Sequence, residues 1–325
     1  MNGQRGVALV TALLIVSLAS IIAVSMVQRM QLDIRRTGNL LAVERGYQYA
    51  RGLELWAIEA LRLDAQESAG RDSYVEPWAS ELPVITLDEG RLTGRMTDLD
   101  GRFNLNNLVL DGVRQSARIA QFERLLTALA LDPAIARRCV DWIDADSTNE
   151  RDGAEDDSYG RRQPPYRAAN APFVDMSELR LIDGVTPPVF DALEPHVSVL
   201  PAASQLTPIN VNTATVPVLM SIDPLITRPV AESLFQNGRA NFESINAFLN
   251  HSEVRPFQQT LITYFQQQTL SLDSQHFLAR GLIEIDGRTR RFQSLIVQLG
   301  NRFTVRWRAP ERYSRGYSVA AQQSG

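Results

Sequence analysis

Residues 7–27 read VALVTALLIVSLASIIAVSMV, a run of 21 residues without a charged side chain. As an α-helix with a rise of about 1.5 Å per residue, this run can cross a hydrocarbon core about 30 Å thick. A polar leader of six residues, MNGQRG, precedes it and ends in Gly6. A secretory signal peptide normally has a shorter apolar region, followed by a cleavage site with small residues. The stretch therefore predicts a membrane-spanning helix near the N-terminus, with the rest of the chain following it.

The leader and the apolar run resemble the N-terminal region of type IV pilins and pseudopilins. In that family a prepilin peptidase cuts after the Gly and methylates the new N-terminus, which implies cleavage between Gly6 and Val7 and N-methylation of Val7. The resemblance also implies a single-pass anchor in the inner membrane, with the globular part in the periplasm. Counting flanking charges favours the opposite orientation, because Arg29, Arg35 and Arg36 follow the span. Charge counting alone does not decide the topology.

The fifth residue of the predicted mature chain is Thr11, where most members of the family carry Glu. In the family this Glu neutralises the N-terminal amine of the neighbouring subunit inside an apolar bundle. A carboxylate at membrane depth without such a partner costs about 3 kcal/mol. A subunit with no neighbour above it has no amine to neutralise. The absence of Glu therefore favours a position at the tip of a fibre.

The overall composition excludes several classes of protein. A chain of 325 residues that is 44% hydrophobic is long enough for about two domains with sizeable cores. Its net charge of −4 lacks the basic footprint of a dedicated nucleic-acid binder. The single cysteine, Cys139, excludes an internal disulfide and a Cys-rich zinc site.

The hydrophobic pattern predicts the fold class. Beyond the membrane span, apolar residues keep a helical spacing as far as about residue 66, which predicts one long stem helix. Alternating patterns and tight turns predict strands at residues 84–87, 91–98, 276–285, 288–299 and 302–308. Helical patterns fill the interval between the second and third strands. The prediction is an α+β fold in which a pilin-like long N-terminal helix packs on an antiparallel sheet that a large all-α insertion interrupts.

These patterns also predict the domain boundaries. The insertion is expected to contain two SAM-like or helix-hairpin-helix-like parts, at about 105–208 and 209–270. The full division is the leader 1–6, the transmembrane helix 7–27, the stem with the first strands 28–104, the insertion 105–270, the C-terminal strands 271–310 and the tail 311–325.

The densest cluster of charge is DWIDADSTNERDGAEDDSY at residues 141–159, which contains eight carboxylates and a single arginine, Arg151. Carboxylates this close repel one another unless a cation neutralises them, and sites made only of oxygen ligands favour calcium. In the EF-hand register, Asp144, Asp146 and Glu155 take positions 1, 3 and 12, but position 6 lacks the usual Gly. An irregular calcium loop and a solvated acidic loop that caps the next helix are both compatible with this stretch.

Two other readings of the motifs concern catalysis and DNA. Paired carboxylates occur in glycosidases, but those enzymes line a sugar cleft with aromatic residues, and this chain is only 7% aromatic. The segment INVNTATVPVLMSI at residues 209–222 resembles the helix-hairpin-helix modules of DNA receptors. Those modules need a glycine-rich hairpin whose amides meet phosphate, whereas residues 221–224 here read SIDP. DNA contact is therefore disfavoured.

Four features together resemble the K-type minor pseudopilins of bacterial type II secretion systems over nearly the whole chain. They are the RGVAL start without Glu, GRFNLNNL at residues 101–108, the acidic stretch, and INVNTA at residues 209–214. The resemblance implies a cap of the pseudopilus, in a tip complex with I- and J-type minor pseudopilins. This cap would initiate or limit assembly with the other pseudopilins and support protein export across the outer membrane. Neither enzymatic activity nor a nucleic-acid partner is implied.

The same resemblance implies calcium binding through acidic loop residues. The expected ligands are Asp141, Asp144, Asp146, Glu155 and Asp156. Two alternative functions stay open. One is a membrane-anchored DNA receptor for uptake, and the other is a membrane-anchored periplasmic hydrolase that uses the acidic cluster.

Overall fold

A computed structural model describes residues 3–68, 70–87, 90–201, 204–285, 287–300 and 302–310, with side chains from residue 9 onward. It contains a long N-terminal helix, a five-stranded sheet, and a mainly helical insertion between the second and third strands of that sheet. The α+β fold class predicted from the sequence is confirmed. The predicted tail at residues 311–325 lies outside the described residues.

The N-terminal helix α1, Gly3–Glu67, joins the predicted membrane span and the predicted stem without a break. By length and composition its described part is apolar enough to cross a membrane, with a mean hydropathy of 2.5 in its most apolar window. The upper half of α1 buries small and apolar residues at intervals of three and four, a spacing that places them on one face. These residues are Ala50, Leu53, Ala57 and Leu61.

The strands of the five-stranded sheet are β1 (Leu82–Leu87), β2 (Gly90–Asp98), β9 (His276–Ile285), β10 (Arg288–Leu299) and β11 (Arg302–Pro310). The sheet is antiparallel throughout, in the order β1-β2-β9-β10-β11. All five strands predicted from alternation are confirmed, and their bounds shift by at most two residues. The strands β2 and β9 are neighbours although the whole insertion separates them in the chain. The insertion therefore leaves and re-enters the sheet at one point.

The stem helix approaches the sheet closely because two glycines lie beneath it. Gly94 and Gly281 face each other across β2 and β9. A Cβ atom built on either glycine would lie 2.8 Å from a methyl group of Leu53. At the next position of α1, the buried carboxylate of Glu54 accepts hydrogen bonds from Ser294 and from the Arg308 guanidinium. Contacts from α1 thus reach the central strands and the edge strand β11.

The insertion is mainly helical and has one continuous hydrophobic core. Its helices are α2 (Ser116–Ala128), α3 (Ile135–Ile143), α4 (Asp156–Tyr159), α5 (Pro187–Leu193), α6 (Val216–Ile222), α7 (Arg228–Phe235), α8 (Ile245–Leu249) and α9 (Gln258–Gln266). Three short strand pairs tie its loops together: β3 (Phe103–Asn104) with β6 (Val197–Ser198), β4 (Val109–Leu110) with β5 (Val113–Arg114), and β7 (Ile209–Asn210) with β8 (Leu270–Ser271). Stacking of Phe103 on Phe122, with ring centroids 5.1 Å apart, lies within this core.

The polar residues of the INVNTA segment hold the insertion on the sheet. Asp98, the last residue of β2, is fully buried and accepts hydrogen bonds from Ser274 Oγ at 2.8 Å and from Thr213 Oγ1. The Asn210 amide donates to Ser274 Oγ at 2.8 Å and to the backbone oxygen of Asp72 at 2.9 Å. We call Asp72, Asp98, Asn210, Thr213 and Ser274 the interdomain joint. It joins the loop after α1 to both chain crossings between the sheet and the insertion.

The polar side chains of INVNTA make their hydrogen bonds inside the protein. Asn210, Asn212 and Thr213 are all buried. Asn212 exchanges two hydrogen bonds with the backbone of Phe242, while the other two residues bind within the joint. The hydrogen-bonding capacity of these side chains is therefore used inside the protein.

Burial makes the joint sensitive to pH. Desolvation, and then the charge of Asp100, raise the pKa of Asp98 to about 7. Desolvation likewise raises the pKa of Asp72 to about 8. A carboxyl group whose pKa is higher in the folded state stabilises the fold fully below its unfolded pKa, near 3.8, and this contribution is lost as the pH rises through the folded value.

We therefore expect the free energy of unfolding of the full chain, in detergent and calcium-free buffer, to fall between pH 5 and pH 8. The variant Asp98→Asn should flatten this fall by up to about 1.4 kcal/mol per pH unit, because it removes one titrating group. Urea unfolding at several pH values measures the slope. The control Asp157→Asn alters an exposed carboxylate and should keep the wild-type slope. Equal slopes in wild type and Asp98→Asn would contradict the assignment.

Candidate metal centre

The acidic stretch comprises the last turn of α3, the loop at residues 144–155, which we call the acidic loop, and α4. Helix α3 is amphipathic and buries Cys139, Val140 and Trp142 against the insertion core. Its last turn ends at Ile143, so Asp144 begins the loop, and Glu155 is the residue immediately before α4. Trp142 of α3 and Tyr159 of α4 pack edge to face with ring centroids 5.4 Å apart, and this contact brings the two ends of the loop together.

Three of the five predicted ligands lie side by side. One carboxylate oxygen each from Asp144, Asp146 and Glu155 lies within 4.8 Å of the others. Asp144 and Glu155 are buried, with 4% and 2% of their surface exposed, whereas Asp146 is exposed. Oδ1 of Asp144 and both oxygens of Glu155 accept no hydrogen bond from any described residue. Buried carboxylate oxygens without a donor are costly, so this group of atoms fits a bound cation.

The electrostatics of the loop support the same interpretation. Burial, and then the charges of Asp141, Asp144 and Asp146, raise the pKa of Glu155 to about 7. Burial raises the pKa of Asp141 to about 6, and it also raises the pKa of Asp144. Without a bound cation, the ionised forms of these three carboxyl groups are thus disfavoured. A bound divalent cation would reverse that preference.

The other two predicted ligands have different surroundings. Asp141 is fully buried and accepts the backbone N–H of Glu150 at 3.2 Å. A Cβ atom on Gly153 would overlap the Asp141 carboxylate, so this residue organises the loop from beneath. Asp156 accepts the backbone N–H of Ala168 at 2.9 Å and does not belong to the three-residue group. Its role as a ligand stays a prediction.

The basic residue that faces this group was missed by the sequence analysis. Arg151, the one arginine of the acidic stretch, is 90% exposed and lies beside Asp152. The arginine that enters the loop is Arg114 from β5, whose guanidinium lies 2.9 Å from Asp144 Oδ2 and 3.2 Å from Asp146 Oδ2. It also bonds to Glu150. The β4–β5 hairpin brings this side chain to the loop. The spacing of residues in the sequence does not indicate this contact.

A second group of carboxylates lies at the upper end of α1. Single oxygens of Asp64, Asp72 and Glu76 lie within 4.8 Å of one another. Glu76 already accepts hydrogen bonds from Arg71, from the Ser73 N–H at 2.7 Å and from the Trp78 indole at 3.2 Å. These donors neutralise and orient its carboxylate. We interpret the group as part of the hydrogen-bonded support of the joint.

The predicted cleavage and methylation positions, Gly6 and Val7, lie in the first turns of α1. Their side chains are outside the described part of the chain.

Comparison with known proteins finds relatives of this chain in bacterial secretion systems. Residues 101–202 match the family model described as "Type II secretion system (T2SS), protein K". Type II secretion system protein K of Pseudomonas aeruginosa is 38% identical over 264 residues, which cover 77% of this chain and 77% of that protein. The protein of the same name from Klebsiella pneumoniae is 31% identical over 315 residues, which cover 93% and 95%.

A solved structure is similar as well. It is a chain of the crystal structure of the GspK-GspI-GspJ complex from the type 2 secretion system of enterotoxigenic Escherichia coli. The TM-score is 0.73 at 26% identity, and the match covers 86% of this chain and 100% of that chain.

The long apolar helix, the antiparallel sheet packed on it and the sequence matches define a pilin-like component of a bacterial protein-secretion system. Within that class, the chain belongs to the type II secretion system protein K family, the K-type minor pseudopilins. The resemblance stated from the sequence is confirmed, and the one helix among the described residues that is apolar enough to cross a membrane fits a single-pass anchor.

Proposed function

We propose that this chain occupies the tip of a type II secretion pseudopilus, where it initiates or caps assembly and supports protein export across the outer membrane. The similarity to a chain of the solved GspK-GspI-GspJ complex carries this proposal. Two features of the chain support it. Thr11 stands where most members of the pilin family carry Glu, and the insertion joins the sheet at Asp98 and His276, beside the end of α1 away from the membrane span.

The partners that we propose are I- and J-type minor pseudopilins and, below them, the other pseudopilins of the fibre. The surface that would meet them is the side of α1 that the sheet leaves uncovered. Above the membrane span this side exposes large apolar residues, including Leu40 at 70% and Leu55 at 69%. Apolar helix faces of this kind pack against parallel helices of neighbouring subunits.

A tip position predicts where antibodies bind. Antibodies raised against the insertion should label one end of each fibre, because a capping subunit occurs once per fibre. Immunogold electron microscopy of sheared pseudopili measures the distribution, and antibodies against the major pseudopilin provide the control along the shaft. Gold spread evenly along the fibres with the first antibody would refute the tip assignment.

We propose in addition that prepilin peptidase cleaves after Gly6 and methylates Val7, and that the globular part lies in the periplasm. The six-residue leader and the uninterrupted apolar run support this proposal.

Cleavage predicts that Gly6→Val leaves the leader attached, because a branched side chain blocks the peptidase site. Intact-mass spectrometry of the membrane form should detect a chain that starts at Val7 in wild type and at Met1 in the variant. The variant Gly3→Val makes the same change inside the leader and should be processed normally. A wild-type chain that keeps Met1 in its membrane form would rule out the proposal.

For the acidic loop we propose calcium as the bound cation. Asp144, Asp146 and Glu155 would hold it, with Asp141 beneath them and Asp156 as a further candidate. The oxygen-only donor set and the unsatisfied oxygens of Asp144 and Glu155 support this choice. A bound ion supplies positive charge that stabilises the ionised loop and fixes α3 relative to α4. The acidic residues are thereby assigned to binding, with no catalytic role.

Calcium binding predicts a change in thermal stability. A ligand at a hundred times its Kd stabilises the folded form by about 2.7 kcal/mol, so chelator should lower the Tm of the full chain and calcium should restore it. The variant Glu155→Gln should lose most of this response, because it removes a ligand charge. The variant Glu243→Gln changes an exposed residue and should respond like wild type. A wild-type Tm that is insensitive to chelator would overturn the assignment.

A further inference from the structure

The acidic loop has two sides, and Arg114 occupies only one of them. On that side the guanidinium contacts Oδ2 of Asp144, Oδ2 of Asp146 and the carboxylate of Glu150. On the other side, Oδ1 of Asp144 and both oxygens of the buried Glu155 have no hydrogen-bond donor among the described residues. One basic side chain therefore neutralises part of the cluster and leaves the rest for a cation.

We propose that Arg114 is an internal competitor for the cation: it pairs with Asp146 in the ion-free protein and yields Asp146 when calcium binds. This inference rests on the proposed calcium function. Calcium takes six to eight oxygen ligands at short range. The Asp146 carboxylate belongs to the three-residue group and also pairs through Oδ2 with Arg114, so its charge cannot serve the ion fully while it neutralises the guanidinium.

The geometry allows this exchange without leaving Arg114 unpaired. Asp146 is the accessible member of the group, because its side chain is 56% exposed, whereas that of Asp144 is 4% exposed. Glu150 contacts Nη1 of Arg114, while Asp146 contacts Nη2. When Asp146 turns toward the ion, Glu150 keeps the guanidinium neutralised. Arg114 therefore keeps a paired charge in both states.

If Arg114 competes with the ion, its replacement should change the stability of the ion-free protein and the affinity for calcium in opposite directions. Without Arg114 the ion-free loop contains more uncompensated negative charge, so the ion-free protein becomes less stable. The same charge attracts calcium more strongly, and no guanidinium opposes it. A residue that only holds the loop in shape would instead lose both stability and calcium affinity when it is replaced.

The test is isothermal titration calorimetry of the full chain with calcium chloride, together with Tm in chelator. We expect Arg114→Gln to lower the Kd for calcium about tenfold or more, since the loss of one nearby positive charge is of that order. Its Tm in chelator should fall. Arg137→Gln breaks a similar ion pair, 3.2 Å from Glu123, and should keep the wild-type Kd.

If Arg114→Gln does not fold, Arg114→Lys keeps the test decisive. A lysine keeps the positive charge but lacks the planar guanidinium that contacts Asp144 and Asp146 together. The Arg114→Lys protein should therefore bind calcium more tightly than wild type. An unchanged or higher Kd in the variant that folds would overturn the competitor role. A wild-type protein that binds no calcium would instead overturn the proposed calcium function, and the two failures are therefore distinguishable.

Discussion

Leu53 of the stem helix rests on two glycines, Gly94 and Gly281, that face each other across the centre of the sheet. A Cβ atom at either position would come within 2.8 Å of a Leu53 methyl group, and at position 281 it would also overlap the Phe292 ring, so both glycines are needed for this close packing of helix and sheet. The two glycines come from strands on opposite sides of the insertion in the chain. The contact that closes the pilin-like part thus also requires the insertion to begin and end at adjacent strands.

The interdomain joint meets that requirement with hydrogen bonds. Asp98, at the end of β2, accepts a hydrogen bond from Ser274, which lies where the chain returns from the insertion to β9. It accepts another from Thr213 within the insertion. Ser274 and Thr213 donate through hydroxyl groups, which have no charge of their own to balance the carboxylate. The insertion is consequently held to the sheet by directional bonds in a buried place, in addition to the apolar contact of Leu200 with Leu278 and Leu295. Directional bonds fix its orientation more closely than apolar contact alone.

Much of this arrangement could be predicted from the sequence, because the strands and α1 carry strong periodic patterns. The strands β9 and β10 were predicted at their observed bounds, and Asp144, Asp146 and Glu155 were singled out by local charge density. Contacts between distant segments could not be predicted in the same way. Arg114 lies 30 residues before Asp144, and the pairing of Asn210 with Asp98 spans 112 residues. Neither pair has a periodic or compositional signal.

The joint and the acidic loop both bury carboxylates, but they neutralise them by different means. In the joint, backbone and hydroxyl donors from the packed core surround Asp98, and such donors cannot be exchanged without unfolding the contact. In the loop, Arg114 and Asp146 are partly or largely exposed, and several oxygens have no donor among the described residues. A fixed network suits the connection that positions the insertion on the stem. Under the proposed calcium binding, an exchangeable network suits a site whose charge is completed by an ion from solution, and the two buried groups of carboxylates would then serve different purposes: attachment in the joint and ion binding in the loop.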